Sequence, residues 1–290
     1  ARKPDIIYAS ASGLGASGPA SGRPGQDLLM QARSGLIAAT GGGEAGPTVI
    51  GAAVVDQHGG ALLAMGILGA FVRKLQTGQG TRIESSLFGA AIDLQTEALT
   101  KYFAADRRQE RMRRDRHVGS WYHDAPYGLY ELADDVRVVL SMNDPVRLAE
   151  ALDSDVLREL QSIDRYEERD RYARAVAGVL RGKRFAEIAP AFDAHAIWYE
   201  RVQDYEELLA DPQAQHNEAF RTVEIHGKPV TIVNHPLRYD GKVPGYRGLP
   251  LTPGSDSLEI LAELDYRPEE AQELVRAGIV GAPEDGAGRA

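Results

Sequence analysis

A short apolar run at residues 49–55 stops at Asp56 and, past Gly59 and Gly60, gives way to a helix-periodic segment at residues 61–75. Strand, acidic turn and helix in that order form a βα unit, and α/β folds built from such units gather ligands at the carboxyl ends of their strands. Asp56 would then stand where a ligand sits. Apolar and small residues occupy all sides of residues 61–72, the pattern of a buried helix rather than a surface one. Thr77, Gly78, Gln79 and Gly80 supply its C-terminal stop. The 61–72 stretch is too short and too interrupted by glycine for a bilayer span, so the expectation is a cytoplasmic protein with no membrane segment.

The same alternation continues on both sides. Residues 4–10 and 81–85 read as strands, residues 26–39 as a helix ended by Gly41, and residues 87–104 as a long helix. The chain starts with Ala1 and enters a strand almost at once, with nothing before it to pair with, so the expectation is a large domain whose first part is missing. Gly13, Gly15 and Gly18 match the spacing of a phosphate-binding turn, but Pro19 and further loop residues follow where a helix is required, which favours a flexible turn. A charged run at residues 106–116 fits a solvated linker or a cationic rim. Beyond it the texture changes to short strands and charged helices, among them residues 144–160 and 166–180. The tail returns to helix at residues 257–264 and 268–277, stopped by Gly278. The expected organisation is a large α/β domain from residues 1–105 and 240–290, a linker at 106–116, and a small α+β domain at 117–238.

Composition narrows the chemistry. With no cysteine in 290 residues, thiolate nucleophiles, disulfides and Cys-ligated metals are excluded. A net charge of -9 speaks against a nucleic-acid surface, and any polyanionic ligand would rely on local cations such as Arg23, Arg33, Arg73, Lys74 or Arg82. His195, His216, His226 and His235 show no metal-ligand spacing, so no metal is expected.

Three segments carry a family resemblance: IYASASGLGASGPASGRPGQD at residues 7–27, GAAVVDQHGG at 51–60, and RKLQTGQG at 73–80. Together they resemble the family III CoA-transferases, the group of formyl-CoA and carnitine CoA-transferases. In that family a strand and glycine-rich loop precede a G-x-D segment, an aspartate follows before a buried helix, and TGxGQ closes the helix. Here Thr81 replaces the final glutamine. The segments APYG at 125–128 and DPQ at 211–213, together with the tail, extend the resemblance over nearly the whole chain.

The resemblance implies a Rossmann-like large domain, a smaller α+β domain and an interlocked homodimer. It also implies transfer of CoA from an acyl-CoA to a carboxylic acid, with coenzyme A as substrate and no separate cofactor. In that reading Asp56 is the covalent nucleophile and Asp27 the second acid. Gln26, Gly59, Gly60, Gly119 and Ser120 would contact substrate, and Arg23, Arg73 and Lys74 would contact CoA. Each residue also has a plainer role. Asp56 fits a helix N-cap, Asp27 a first-turn helix acid, and Trp121 between His117 and His123 a packed surface turn rather than a ligand-covering loop. His58, two residues past Asp56, is the nearest imidazole in sequence, although a carboxylate needs no base to act as a nucleophile.

Two other functions fit the same residues. An acyl-CoA racemase of the superfamily would place a histidine before the acid of the G-x-D segment; Gln26 stands there and cannot relay a proton. A non-catalytic CoA-binding subunit would keep the fold without the chemistry.

Overall fold

The computed structural model describes residues 3–41, 46–105, 109–225, 227–245 and 253–282. Residues 106–108 of the expected linker, residues 246–252 and 283–290 of the expected return to the large domain, and His226 lie outside the described residues. The chain divides into two compact units, Ala1–Val202 and Gln203–Ala290.

In the first unit β1 (Ile7–Ser12) and β2 (Thr81–Ser86) pair in parallel, with Ile7 opposite Thr81 and Ser12 opposite Ser86. Between them run α1 (Asp27–Arg33), α2 (Leu36–Thr40) and the 24-residue α3 (Val54–Thr77). Then follow α4 (Leu87–Asp93) and α5 (Thr96–Ala104). Parallel strands require such a crossover connection. The glycine-rich loop after β1 is a backbone crossing: a Cβ on Gly13 would lie 2.3 Å from the Gly25 Cα, so two glycines let the chain cross itself before α1. A small core of Met30, Leu36, Val55 and Ala91, with Leu14, Ile50, Leu87 and Phe88 against it, joins these helices.

Three expectations are corrected here. Residues 49–55 do not form a strand, because α3 begins at Val54 and Asp56 lies in its first turn. The reason is a side chain: Gln31 Oε1 accepts from the Ile50 N–H at 3.0 Å and Gln31 Nε2 donates to the Ile50 carbonyl at 3.3 Å. One amide thus takes the place of a neighbouring strand. The helix expected over 87–104 breaks at Leu94 and Gln95, where buried Gln95 turns its amide to the Ala91 carbonyl and to Ser34. Finally, α3 is not buried. One side faces β1, β2 and α4, while Met65, Leu68, Phe71, Val72 and Leu75 are at least half exposed on the rest of its surface. A two-stranded sheet offers too little surface to enclose a helix of this length. By length and composition α3 is also the one helix among the described residues apolar enough to cross a membrane, longer than the 61–72 segment suggested. Its contacts are those of a crossover helix in an α/β unit.

A second core in the same unit surrounds an antiparallel sheet of order β3-β4-β5: β3 (Gly128–Glu131), β4 (Arg137–Leu140) and β5 (Tyr199–Arg201). On one face lie α6 (Pro145–Ala151), α7 (Asp155–Leu160), α8 (Arg169–Leu180) and α9 (Phe185–Ala194), which bury Leu148, Leu157, Tyr172, Val176 and Phe192 against Tyr130 and Val138. The 144–160 segment is two helices because Ser154 caps α7 by accepting from the Leu157 N–H. Asp144 caps α6 ahead of Pro145.

The second unit holds α10 (Tyr205–Ala210), α11 (Pro212–His216) and the hairpin β6 (Phe220–Ile225) and β7 (Lys228–Val233). Helices α12 (Ser257–Glu263) and α13 (Pro268–Arg276) follow, the last ended by Gly278 at φ +67° as its sequence foretells.

Candidate active site

Asp56 is exposed in the first turn of α3. Ala53, the residue at the N-cap position, offers no side-chain acceptor, and the cap comes from another helix. Asp27, at the start of α1 and 7% exposed, accepts through Oδ1 from the Val55 N–H at 2.7 Å and the Asp56 N–H at 3.2 Å. Its other oxygen accepts from Gln31 Nε2 at 2.6 Å. Both Asp27 oxygens are engaged within the protein, and they act on the backbone of Asp56. The two acids of the sequence reading are therefore brought together, with one carboxylate free to solvent and the other fastening it in place.

His58 faces elsewhere. Positions two apart on a helix diverge by about 200°, which turns His58 away from Asp56. Its Nε2 instead pairs with Asp93 of α4 at 2.8 Å. Gly59 is buried, and a Cβ there would meet Leu87 Cδ2 at 3.2 Å and the Ala90 Cβ at 3.4 Å; the residue serves the packing of α3 on α4 rather than an open ligand face. Gly60 has open space where its side chain would be. Gln26 is exposed at the N-cap position of α1 and makes no side-chain cap.

The three cations divide. Arg23 is exposed in the loop before α1. Arg73 and Lys74 lie toward the other end of α3, about 25 Å from Asp56 at a rise of about 1.5 Å per residue. Arg73 binds the turn that follows α3, through Gly80, Thr81 and Gln79. Lys74 pairs with Asp5 at 2.9 Å and holds that carboxyl below its ordinary range. The structure does not bring these two to Asp56.

Gly119 lines a cavity of about 730 Å³ over the outer face of the antiparallel sheet, together with Tyr127, Leu129, Val139, Trp198 and Tyr199. Asp56 is not part of its wall. The Ser120 hydroxyl lies 3.1 Å from His123 Nδ1, and His123 stacks on Tyr127. Trp121 is packed, with its ring against Tyr102 and Tyr122, and His117 is buried against Tyr130 with Nδ1 at 2.9 Å from the Leu129 carbonyl oxygen. The loop is anchored by Arg114, a buried guanidinium whose hydrogen bonds among the described residues go to backbone carbonyls. It donates to the carbonyls of Thr40 at 2.8 Å, Val118 at 2.9 Å, Gly41 at 3.0 Å and Met112 at 3.1 Å. Burial and then the nearby Arg169 lower its pKa from the ordinary arginine value. Among the described residues no group of three or more His, Asp or Glu is placed to hold a metal.

The sequence pattern of CoA-transferase family III matches residues 1–256. The chain belongs to that family. Human succinyl-CoA:glutarate CoA-transferase is 27% identical over 292 residues, covering 96% of this chain and 64% of the human protein. An acyl-CoA transferase of Fusarium pseudograminearum is 25% identical over 288 residues, covering 96% of this chain and 62% of that protein. Acetyl-CoA:oxalate CoA-transferase of Acetobacter aceti is 32% identical over 142 residues, covering 49% of this chain and 35% of the relative. The chain thus spans less than two thirds of the length of these family members. Among solved structures, a CAIB/BAIF family protein from Brucella suis shares the fold with a TM-score of 0.67 at 20% identity, covering 90% of this chain and 68% of that one. The Rv3272 protein of Mycobacterium tuberculosis gives 0.68 at 21% identity, covering 83% and 65%.

Gln31, Asp93 and Arg114 escaped the sequence reading. Gln31 alone left a local trace, its position one helical turn after Asp27.

Proposed function

We propose that this chain carries the nucleophile-bearing part of an acyl-CoA:carboxylate CoA-transferase, with the Asp56 carboxylate as the group that is acylated. The observation that carries this reading is the exposed Asp56 in the first turn of α3, its backbone N–H fastened by the buried Asp27. Attack of Asp56 on the donor thioester carbonyl forms an acyl-aspartyl anhydride and expels CoA thiolate. The thiolate attacks the aspartyl carbonyl, giving an aspartyl-CoA thioester and releasing the donor acid as its carboxylate. The acceptor carboxylate then displaces CoA thiolate from that thioester, forming a second anhydride. The thiolate takes the new acyl group from it and regenerates the Asp56 carboxylate.

Donors and acceptors in the relatives' names are acyl-CoA thioesters and dicarboxylic acids, and that class is the substrate proposal. CoA enters as substrate, with no separate cofactor. The organisation proposed is a Rossmann-like large domain from residues 1–105 and 240–290 and a small domain from 117–238, in an interlocked homodimer. The exposed apolar side of α3 supports it, since an apolar stripe of this size calls for a cover. Racemisation is disfavoured by Gln26, which offers no proton-relaying group beside Asp27.

The test is Asp56→Asn, which preserves size but is a far poorer nucleophile. Transfer of CoA from acyl-CoA to a panel of carboxylic acids is expected to vanish while acyl-CoA binding stays within about threefold of wild type. Near-normal turnover of Asp56→Asn would place the nucleophile elsewhere.

A further inference from the structure

Gln31 follows Asp27 by one turn of α1 and is 1% exposed. A buried primary amide has two N–H donors and an oxygen acceptor to satisfy, and leaving them unmet is costly. Here they are met by the segments that set the position of Asp56. Nε2 donates to Asp27 Oδ2 at 2.6 Å and to the Ile50 carbonyl at 3.3 Å, with the Ala52 carbonyl at 3.5 Å, and Oε1 accepts from the Ile50 N–H at 3.0 Å. One amide thus orients the carboxylate that holds the Asp56 backbone and also fastens the chain leading into α3.

We infer that Gln31 is a positioning residue for the transfer reaction, acting through Asp27 and the 50–52 segment to fix the direction in which Asp56 is presented. The inference rests on the assignment of Asp56 as nucleophile. Gln31 itself is sealed from solvent, and its polar atoms are taken up by Asp27, Ile50 and Ala52. Its influence on rate comes from geometry, because attack on a thioester carbonyl needs reacting atoms about 3–3.5 Å apart, and a misplacement of about 1 Å can cost about a hundredfold.

Three variants separate positioning from packing: Gln31→Leu, Gln31→Glu, and the double change Asp27→Asn with Gln31→Glu. Leucine fills the space without the amide's bonds. Glutamate sets a second carboxylate against Asp27. In the double variant the new asparagine keeps an oxygen for the Val55 and Asp56 N–H groups and donates an N–H to the new glutamate, restoring the central bond with its polarity reversed. At a temperature where circular dichroism shows full folding, each single variant is expected to lose about ten- to a hundredfold in kcat with KM for acyl-CoA within about twofold. The double variant should recover at least about tenfold over Gln31→Glu if the polarity-reversed bond restores the geometry. A folded Gln31→Leu with wild-type kcat, or a double variant no better than Gln31→Glu, overturns the inference.

Hydroxylamine trapping of the aspartyl intermediate, read by peptide mass spectrometry, keeps the two assignments apart. A wild-type protein that turns over yet gives no hydroxamate at Asp56 refutes the nucleophile itself. A wild-type hydroxamate at Asp56, matched in rate by Gln31→Leu, refutes only the positioning.

Discussion

Removing the guanidinium of Arg114 is expected to loosen the whole 112–119 segment. Four backbone carbonyls, those of Thr40, Gly41, Met112 and Val118, accept from it at 2.8–3.1 Å. In Arg114→Met these carbonyls lose their donor, and a buried polar group left unpaired costs about 1–3 kcal/mol. Two terms work the other way. The buried cation no longer bears its own desolvation cost, and carbonyls near the end of α2 can turn to water. Taking the low end for each carbonyl and allowing for that relief, the expected loss is about 2–4 kcal/mol. Arg114→Lys keeps the charge, but its single ammonium cannot span carbonyls on both sides of the segment, so its loss should be about 1–2 kcal/mol. Urea unfolding followed by circular dichroism measures both, with the slope against denaturant unchanged if only the native state is affected. A loss below about 0.5 kcal/mol in Arg114→Met would refute the reasoning, because it would mean that water replaces the guanidinium freely.

Two further perturbations probe α3. Gly59→Ala should stay within about 1 kcal/mol of wild type, as the better helix propensity of alanine offsets a contact that the flexible end of Leu87 can relieve, whereas Gly59→Leu should lose about 1–3 kcal/mol by thermal denaturation; an unchanged melting temperature in Gly59→Leu would show that α3 does not rest on α4. The hydrogen bond from Lys74 lowers the Asp5 pKa, so the pair's contribution is present above the unfolded aspartate value of about 3.9 and is lost as pH falls through the lower folded value. Lys74→Met should therefore be slightly less stable near neutral pH and indistinguishable from wild type in strong acid, and a difference that persists there would refute the pairing.

Local signals made part of this fold legible. The strand-like text at residues 4–10 and 81–85 became β1 and β2, and Gly78 at φ +69° ends α3 where the glycines announced a stop. Residues 49–55 misled because an apolar, β-branched run is compatible with either structure, and the deciding partner, Gln31, lies 19 positions from Ile50. The burial of α3 was overstated because composition records a helix's appetite for contacts and not whether they are met. At the candidate site, pattern singled out Asp56 and Asp27, and the fold brings the two together. The bonds that fix their surroundings were not legible: His58 meets Asp93 35 positions away, and Arg114 meets Thr40 across 74.

Four buried polar residues of the first unit, Asp27, Gln31, Gln95 and Arg114, converge on α1 and α2. Asp27 and Gln31 reach from α1 to the start of α3, Gln95 reaches from the end of α4 to Ser34 at the joint between α1 and α2, and Arg114 reaches from the 112–119 loop to the end of α2. An apolar core alone resists compression but tolerates small slides, since apolar contacts have little directional preference. Hydrogen bonds to buried carbonyls and amides do not tolerate them, because a displaced partner leaves a desolvated group unpaired. Asp56 and the Gly119-Ser120 loop are therefore both tied to one small helical pair. Substitutions that break the buried polar bonds to α1 or α2 should alter the loop and the Asp56 backbone together, and amide hydrogen exchange at Val55 and Gly119 in Gln31→Leu, within α1, and in Arg114→Lys, within the loop, would report it. Faster exchange at only one of the two sites in both variants would show that the loop and the Asp56 backbone are held independently.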